Sequence, residues 1–305
     1  ASLYSKPNTK YKLKKKISFC SHIKITKKKK NFLFFDKYWI NKKDILPIIH
    51  SAGTEILKVY NSGNLNVSIK SDNSPLTEAD QISHEIITEE LRRKFHDVPI
   101  ISEEGSSIEL NVRSKWKRYF LIDPLDGTKE FLKRNGEFTV NIALIENNRP
   151  SMGMIHIPVE KKTFWGERNK GMMQYDNGNI EKLIENIHID EKKILVSRSH
   201  KNSQHNSIVG KIREDFNVKI LEMGSSKKFC ALVDDKSIIY PRFGPTSEWD
   251  IAAGHAMIES MGGIMTRLNG KEIIYNSGSN FIVDDFIAGL DKDFVRSIIN
   301  AVSSY

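Results

Sequence analysis

Several protein classes are set aside by what this sequence has little of. Only two of its 305 residues are cysteine, Cys20 in a basic stretch and Cys230 within an apolar run. They supply neither a disulfide framework nor a metal spacing. A reducing compartment suits such a chain, and the cytoplasm is the expected location. No stretch approaches the roughly 20 consecutive apolar residues of a membrane-spanning helix. Histidines and cysteines form no cluster of the kind that holds zinc. There is no internal repeat and no Pro-rich linker. Residues 1 to 35 contain no Arg, Asp or Glu, yet they hold eleven lysines, among them Lys14-Lys15-Lys16 and Lys27 to Lys30.

That last asymmetry changes the meaning of the formal net charge of +9. Removing the eleven tail lysines from the 47 basic residues leaves 36 against 38 acidic ones, a balance of −2. The body is therefore not a basic protein, and no specific nucleic-acid partner is expected. For the tail, three readings stand side by side: a disordered appendage, a surface that meets anionic lipid on the cytoplasmic face of the inner membrane or nucleic acid, and a targeting segment. With 39% hydrophobic residues, the rest of the chain can bury a sizeable core in one large domain or two abutting lobes.

Leu121-Ile122-Asp123-Pro124-Leu125-Asp126-Gly127-Thr128 places two carboxylates three positions apart on a turn after an apolar run. Asp123 is expected to end a buried strand, with Pro124 fixing the next φ and Gly127 supplying backbone freedom. Asp123, the Leu125 carbonyl and Asp126 can then converge on one hard cation, with the Thr128 hydroxyl beside it. Asp and Gly are also ordinary turn residues, so this segment alone reads equally well as a turn. Two further acidic sites stand at element ends. Val98 to Ser102 runs into Glu103-Glu104, and Trp249-Asp250 precedes a helical pattern stopped by Gly262-Gly263.

In order and spacing, Ser102-Glu103-Glu104, Asp123 to Thr128 and Trp249-Asp250 resemble the signatures of the inositol monophosphatase superfamily of Mg2+-dependent, lithium-sensitive phosphatases. The longer string through Lys129-Glu130-Phe131 and Lys133 to Leu144 resembles its 3'(2'),5'-bisphosphate nucleotidases of the CysQ type. The resemblance spans about residues 43 to 286. It implies a layered α-β-α-β-α sugar-phosphatase fold of the α/β class and two or three Mg2+ ions as cofactor. It also implies a small-molecule nucleotide as substrate, namely adenosine 3',5'-bisphosphate and its 3'-phosphoadenylyl sulfate precursor, in sulfate assimilation.

Matched residue by residue, the implied metal ligands are Glu103, Asp123, the Leu125 carbonyl, Asp126 and Asp250, with Asp80, Thr128 and Glu103 as the catalytic set. Asp80 also reads as the far end of a capping box with Thr77. Gly127, Thr128, His200, Ser225, Lys228, Arg242 and Asp250 match positions around the substrate. A hydroxyl, an ammonium and a guanidinium fork suit a second, non-reacting phosphate. The bland alternative for Gly224-Ser225-Ser226 and the nearby cations is a helix start beside solvated charges.

The expected organisation is a basic extension over 1–42, a metal-binding catalytic lobe over 43–190 and a substrate-binding lobe over 191–305. Helices are expected over 43 to 60 and 78 to 95, and strands over 137 to 145, 152 to 157 and 162 to 166. Two other functions compete: an inositol or fructose phosphatase, and a nucleic-acid or membrane binder led by the tail.

Overall fold

The computed structural model describes residues 40–63, 66–70, 75–183, 191–199 and 203–303. The lysine-rich segment and His200 lie outside them. Residues 41–305 form one compact unit.

Helix α1 (Lys42–Ser62) begins where the Asn41 side chain accepts from the Lys43 amide and ends at left-handed Gly63. Its apolar residues recur at three- and four-residue spacing, so Ile45, Ile48, Ile49, Ala52 and Ile56 all face inward. A short antiparallel ribbon, β1 (Val67–Ile69) and β2 (Pro75–Thr77), leads into α2 (Glu78–Lys94). The chain then builds a seven-stranded sheet. Its strands in spatial order are β3 (Ile100–Ser102), β4 (Arg118–Asp126), β5 (Thr139–Glu146), β6 (Arg149–Ile157), β7 (Lys162–Glu167), β8 (Gly171–Asp176) and β9 (Asn179–Leu183). Two short helices interrupt the run, α3 (Leu110–Arg113) before β4 and α4 (Thr128–Leu132) after it. Among the described strands of this sheet, β3 and β4 pair in parallel and the others antiparallel.

The second half adds β10 (Lys193–Ser197), α5 (Ser203–Phe216), β11 (Lys219–Met223), α6 (Lys227–Asp234), β12 (Ile238–Arg242), β13 (Thr246–Ser247), α7 (Glu248–Ser260), β14 (Ile264–Thr266), β15 (Ile282–Val283), β16 (Phe286–Gly289) and α8 (Lys292–Val302). Five of these strands form a sheet of order β11-β10-β12-β16-β14, with β11, β10 and β12 parallel. Helices α1 and α2 cover one face of the seven-stranded sheet, and α7 packs on its other face across β5, β6 and β7. Helix α6 lies between α7 and β12, while α5 and α8 close the outer face of the second sheet. The result is the layered α-β-α-β-α architecture. Strands β4 and β5 are apolar along most of their length because both faces of their sheet are covered.

One expectation needs correction. Asp123 does not end its strand. Pairing with β5 continues to Asp126 opposite Thr139, with the register shifting between Asp123 and Asp126. Pro124 is accommodated at this bulge, where no ladder donor is required of it. The two carboxylates thus leave a distorted strand end rather than a free turn. Strands β8 and β9 also extend the sheet beyond the hairpin legible in the sequence.

Between α1 and the sheet lies a polar inclusion. His50 Nε2 is 2.8 Å from Thr163 Oγ1, and His156 Nδ1 is 2.9 Å from both the Lys162 carbonyl and Thr163 Oγ1. The two imidazoles stand 5.0 Å apart, and His50 also packs on Tyr175. Burial first, and then the neighbouring His50, push the His156 pKa down to about 3. An unfolded imidazole gains its proton as the pH falls through about 6.5, while folded His156 stays neutral. Its contribution to stability is therefore lost as the pH drops across that interval, at about 1.4 kcal/mol per pH unit. Replacing His156→Gln is expected to reduce the loss of unfolding free energy between pH 7 and pH 5 by about 2 kcal/mol. Chemical denaturation at the two pH values checks this, and an unchanged pH dependence contradicts it.

Candidate active site

Five chain segments meet at one cavity of about 370 Å³ between the two sheets. From the first half come Glu103, beyond β3, and the β4 end with Asp123, Leu125, Asp126, Gly127 and Thr128. From the second come Ser225 and Lys228 at the start of α6, Arg242 at the end of β12, and Asp250 in the first turn of α7. Open α/β sheets place ligands outside the carboxyl ends of their parallel strands, and β10, β11 and β12 point theirs here. Every described candidate residue lines this cavity except Asp80, which supports it from α2.

The local geometry follows from backbone constraints. Gly127 has φ of 90°, and a Cβ there would lie 2.9 Å from the Glu137 carbonyl oxygen and 3.0 Å from Ser225 Cβ. Glycine lets the two halves of the cavity wall approach. Ser83 Oγ on α2 donates to the Pro124 carbonyl at 2.7 Å, pinning the bulge. Asp80 divides its two oxygens. Oδ2 accepts from the Thr77 amide at 2.8 Å, which is the capping-box contact, while Oδ1 accepts from Thr128 Oγ1 at 3.2 Å. Cap and Thr128 partner are one carboxylate.

The electrostatics are unfavourable as they stand. Asp123 is 1% exposed. Burial first, then the charges of Glu103, Asp126 and Asp250, hold its carboxyl well above the usual carboxylate range. Burial, followed by Asp126 and Glu103, pushes Asp250 up to about 7. Burial also raises Glu103 against the opposing charge of Lys70, whose Nζ is 2.7 Å from Glu103 Oε1 and also bonds Glu104. Uncompensated carboxylates at this depth call for a cation.

Among the described residues, no group of three His, Cys, Asp or Glu side chains is placed to hold a metal ion by itself. The donor set is open, all oxygen, and made of carboxylates beside the Leu125 carbonyl and the Thr128 hydroxyl. That composition suits Mg2+, which binds through few carboxylates and keeps water or phosphate oxygens in its remaining positions. The residues present therefore fit such an ion.

At the other side of the cavity the charge is reversed. Lys228 is 5% exposed, donates to the Ser225 carbonyl at 2.6 Å and stands over the Tyr240 ring. Burial lowers its pKa to about 8, with Arg242 adding to the depression and Asp126 and Asp250 opposing it. Arg242 Nη2 donates to the Pro245 carbonyl at 3.0 Å, and its buried Nε has no hydrogen-bond partner among the described residues. Gly-Ser-Ser does begin a helix, with Ser226 at the N-cap, but Lys228 is buried rather than solvated, and Arg242 is half-buried at the cavity wall.

The architecture is also the one found in a family of known proteins. The inositol monophosphatase family model matches residues 46–301. The chain belongs to that family. It is 38% identical over 245 residues to the 3'(2'),5'-bisphosphate nucleotidase CysQ of Salmonella typhimurium, covering 80% of this chain and 97% of that one. The crystal structure of CysQ from Bacteroides thetaiotaomicron superposes with a TM-score of 0.74 at 34% identity, covering 84% of this chain and 98% of that one. A structure described as an IMPase/NADP phosphatase complexed with Mg2+ and phosphate shares the fold at 18% identity, with a TM-score of 0.67, covering 89% and 97% of the two chains.

Three functional neighbours escaped the sequence reading. Ser226 donates its amide to Asp126 Oδ2, and its hydroxyl sits between that carboxylate and the Asp250 carbonyl, 2.6 Å away. Only its place at the helix start hinted at this. Thr246 Oγ1 donates to Asp250 Oδ2 at 2.8 Å, within a Ser247-x-x-Asp250 capping box that was readable as a spacing. Lys70 gave no signal beyond its position in a turn-rich segment.

Replacing Asp80→Asn keeps a capping acceptor while removing the charge beside Thr128. It is expected to lower kcat by about a hundredfold or more with a nearly unchanged melting temperature. A matched loss of stability would instead make Asp80 a cap alone.

Proposed function

We propose that this protein is a Mg2+-dependent 3'(2'),5'-bisphosphate nucleotidase that hydrolyses adenosine 3',5'-bisphosphate to AMP and phosphate. The observation that carries the reading is the pairing, within one cavity, of an acidic cluster around buried Asp123 with two cations, buried Lys228 and half-buried Arg242. A substrate with one phosphate needs only the first. A nucleotide with two phosphates uses both, the reacting one at the acidic side and the other at the cations. The family membership and the nucleotidases at similar length support the same assignment.

Glu103, Asp123, the Leu125 carbonyl, Asp126 and Asp250 would hold Mg2+, which would supply neutralisation of phosphoryl oxygens and a more acidic water. The chain's own groups supply orientation. Thr128, held by Asp80, positions a water, and Asp80 accepts its proton as the oxygen attacks phosphorus. The bond from phosphorus to the ribose 3'-oxygen breaks, that oxygen takes a proton from solvent water, and Asp80 returns its own proton to solvent. No side chain needs to act as a covalent nucleophile. The guanidinium of Arg242 and the ammonium of Lys228 hold the 5'-phosphate, with Ser225 beside them. The 5'-phosphosulfate of 3'-phosphoadenylyl sulfate offers the same contacts and extends the reading to that substrate.

Phosphate release from adenosine 3',5'-bisphosphate, inositol 1-phosphate and fructose 1,6-bisphosphate, compared as kcat/KM, tests the proposal. At least a tenfold advantage for the nucleotide is expected, since one charge-assisted contact contributes about 1.5–3 kcal/mol. Preference for the inositol or sugar phosphate overturns the substrate while leaving the metal chemistry in place.

A further inference from the structure

Two carboxylates, Glu130 in α4 and Glu137 between α4 and β5, have no place in the chemistry above, yet both reach across the cavity mouth to the second sheet. Glu137 accepts from Arg198 Nε and Nη2, each at 2.8 Å, and its Oε2 also accepts from the Gly224 amide at 2.7 Å. Arg198 is tied in turn to the end of β11, donating from its amide to the Met223 carbonyl at 3.2 Å and from Nη2 to the Glu222 carbonyl at 2.9 Å. Glu130, whose side chain is 3% exposed, accepts from Ser199 Oγ and from Asn135 Nδ2. A Cβ at Gly224 would lie 2.5 Å from Glu130 Cγ, so the loop presses directly on this carboxylate.

The ends of β10 and β11 are thus held by the catalytic half of the molecule, and the loop so held is the one that carries Ser225 and leads to Lys228. Glu137 has a side chain only 16% exposed, against 39% for Arg198. Arg93 and Glu90 form a bidentate pair too, but an exposed one within a single helix; the Glu137 pair differs in its low exposure and in the third bond that Glu137 accepts from the Gly224 amide. Arg198 is engaged here and is not aimed at a phosphate.

We infer that Glu137, clasping Arg198 and the Gly224 amide, is a positioning residue that sets the distance between the acidic reaction side and the Lys228–Arg242 side of the cavity, and so governs recognition of a substrate with two phosphates. The inference rests on the two-phosphate reading above. Positioning by a rigid clasp acts on the group that must span both sides, whereas a substrate with a single phosphate is bound by the acidic side alone.

The test uses Glu137→Gln and Arg198→Met in the full chain with Mg2+. Kinetics are measured on adenosine 3',5'-bisphosphate, on adenosine 3'-monophosphate and on p-nitrophenyl phosphate. Each variant is expected to raise KM for the bisphosphate about tenfold, the scale of one lost charge-assisted contact. The expected kcat, and both constants for the two monophosphates, stay near the wild-type values. Arg198→Lys, which keeps a single contact, should recover part of the loss. Amide exchange at Gly224 is the second readout and should accelerate in Glu137→Gln. Parallel losses on all three substrates, or an unchanged KM for the bisphosphate, overturn the inference. If wild type itself shows no preference for the bisphosphate while Gly224 exchange still accelerates, the functional reading falls and the recognition role falls with it, leaving a structural clasp. Unaltered Gly224 exchange removes the clasp itself.

Discussion

The structure turns on one unfavourable contact: several carboxylates buried together with too little positive charge beside them. Asp123 and Asp250 are held at raised pKa by burial and by each other's company with Glu103 and Asp126. Such an arrangement persists in a folded protein only when the surrounding elements over-determine it. Here they do so from four directions. The bulged end of β4, the loop after β3, the first turn of α7 and the first turn of α6 each bring one part, and none of them can relax without disturbing the layers behind it.

Those layers explain how distant segments meet. Helix α7 packs on the first sheet and also touches β14 and β16 of the second, and Asp250 in its first turn reaches the acidic side of the cavity from the other half of the chain. The parallel strands β10, β11 and β12 aim their carboxyl ends at the same place, where the following loops deliver Lys228 and Arg242. Acidic and cationic sides therefore face each other because two sheets share a central pair of helices. The Glu137–Arg198 clasp spans the remaining opening.

Much of this was legible in the residues. The periodicity of α1 and α2 marked both helices to within a few positions, and the Asp123 to Thr128 string named the wall of the cavity. The layered fold came from resemblance, since periodicity alone cannot place one sheet against another. The course of β4 was misread because Pro124 and Gly127 signal a turn locally, whereas pairing with β5 carries the strand on through a bulge. Asp80 was read as either a cap or a functional acid; its two oxygens bond Thr77 and Thr128 separately, a division no spacing encodes. Ser226 and Glu137 were passed over for a related reason. Their partners lie 100 and 61 residues away in sequence. His200 falls outside the described residues.

The account stands on buried carboxylates that need a divalent cation, and the most direct measurement is thermal unfolding of the whole protein with excess Mg2+ and with a chelator. Binding to the native state alone at a hundredfold over Kd adds about 2.7 kcal/mol. The predicted result is therefore a melting temperature higher by several degrees with Mg2+, and a much smaller rise after Asp126→Asn. Equal melting temperatures with Mg2+ and with chelator would contradict the account at its centre.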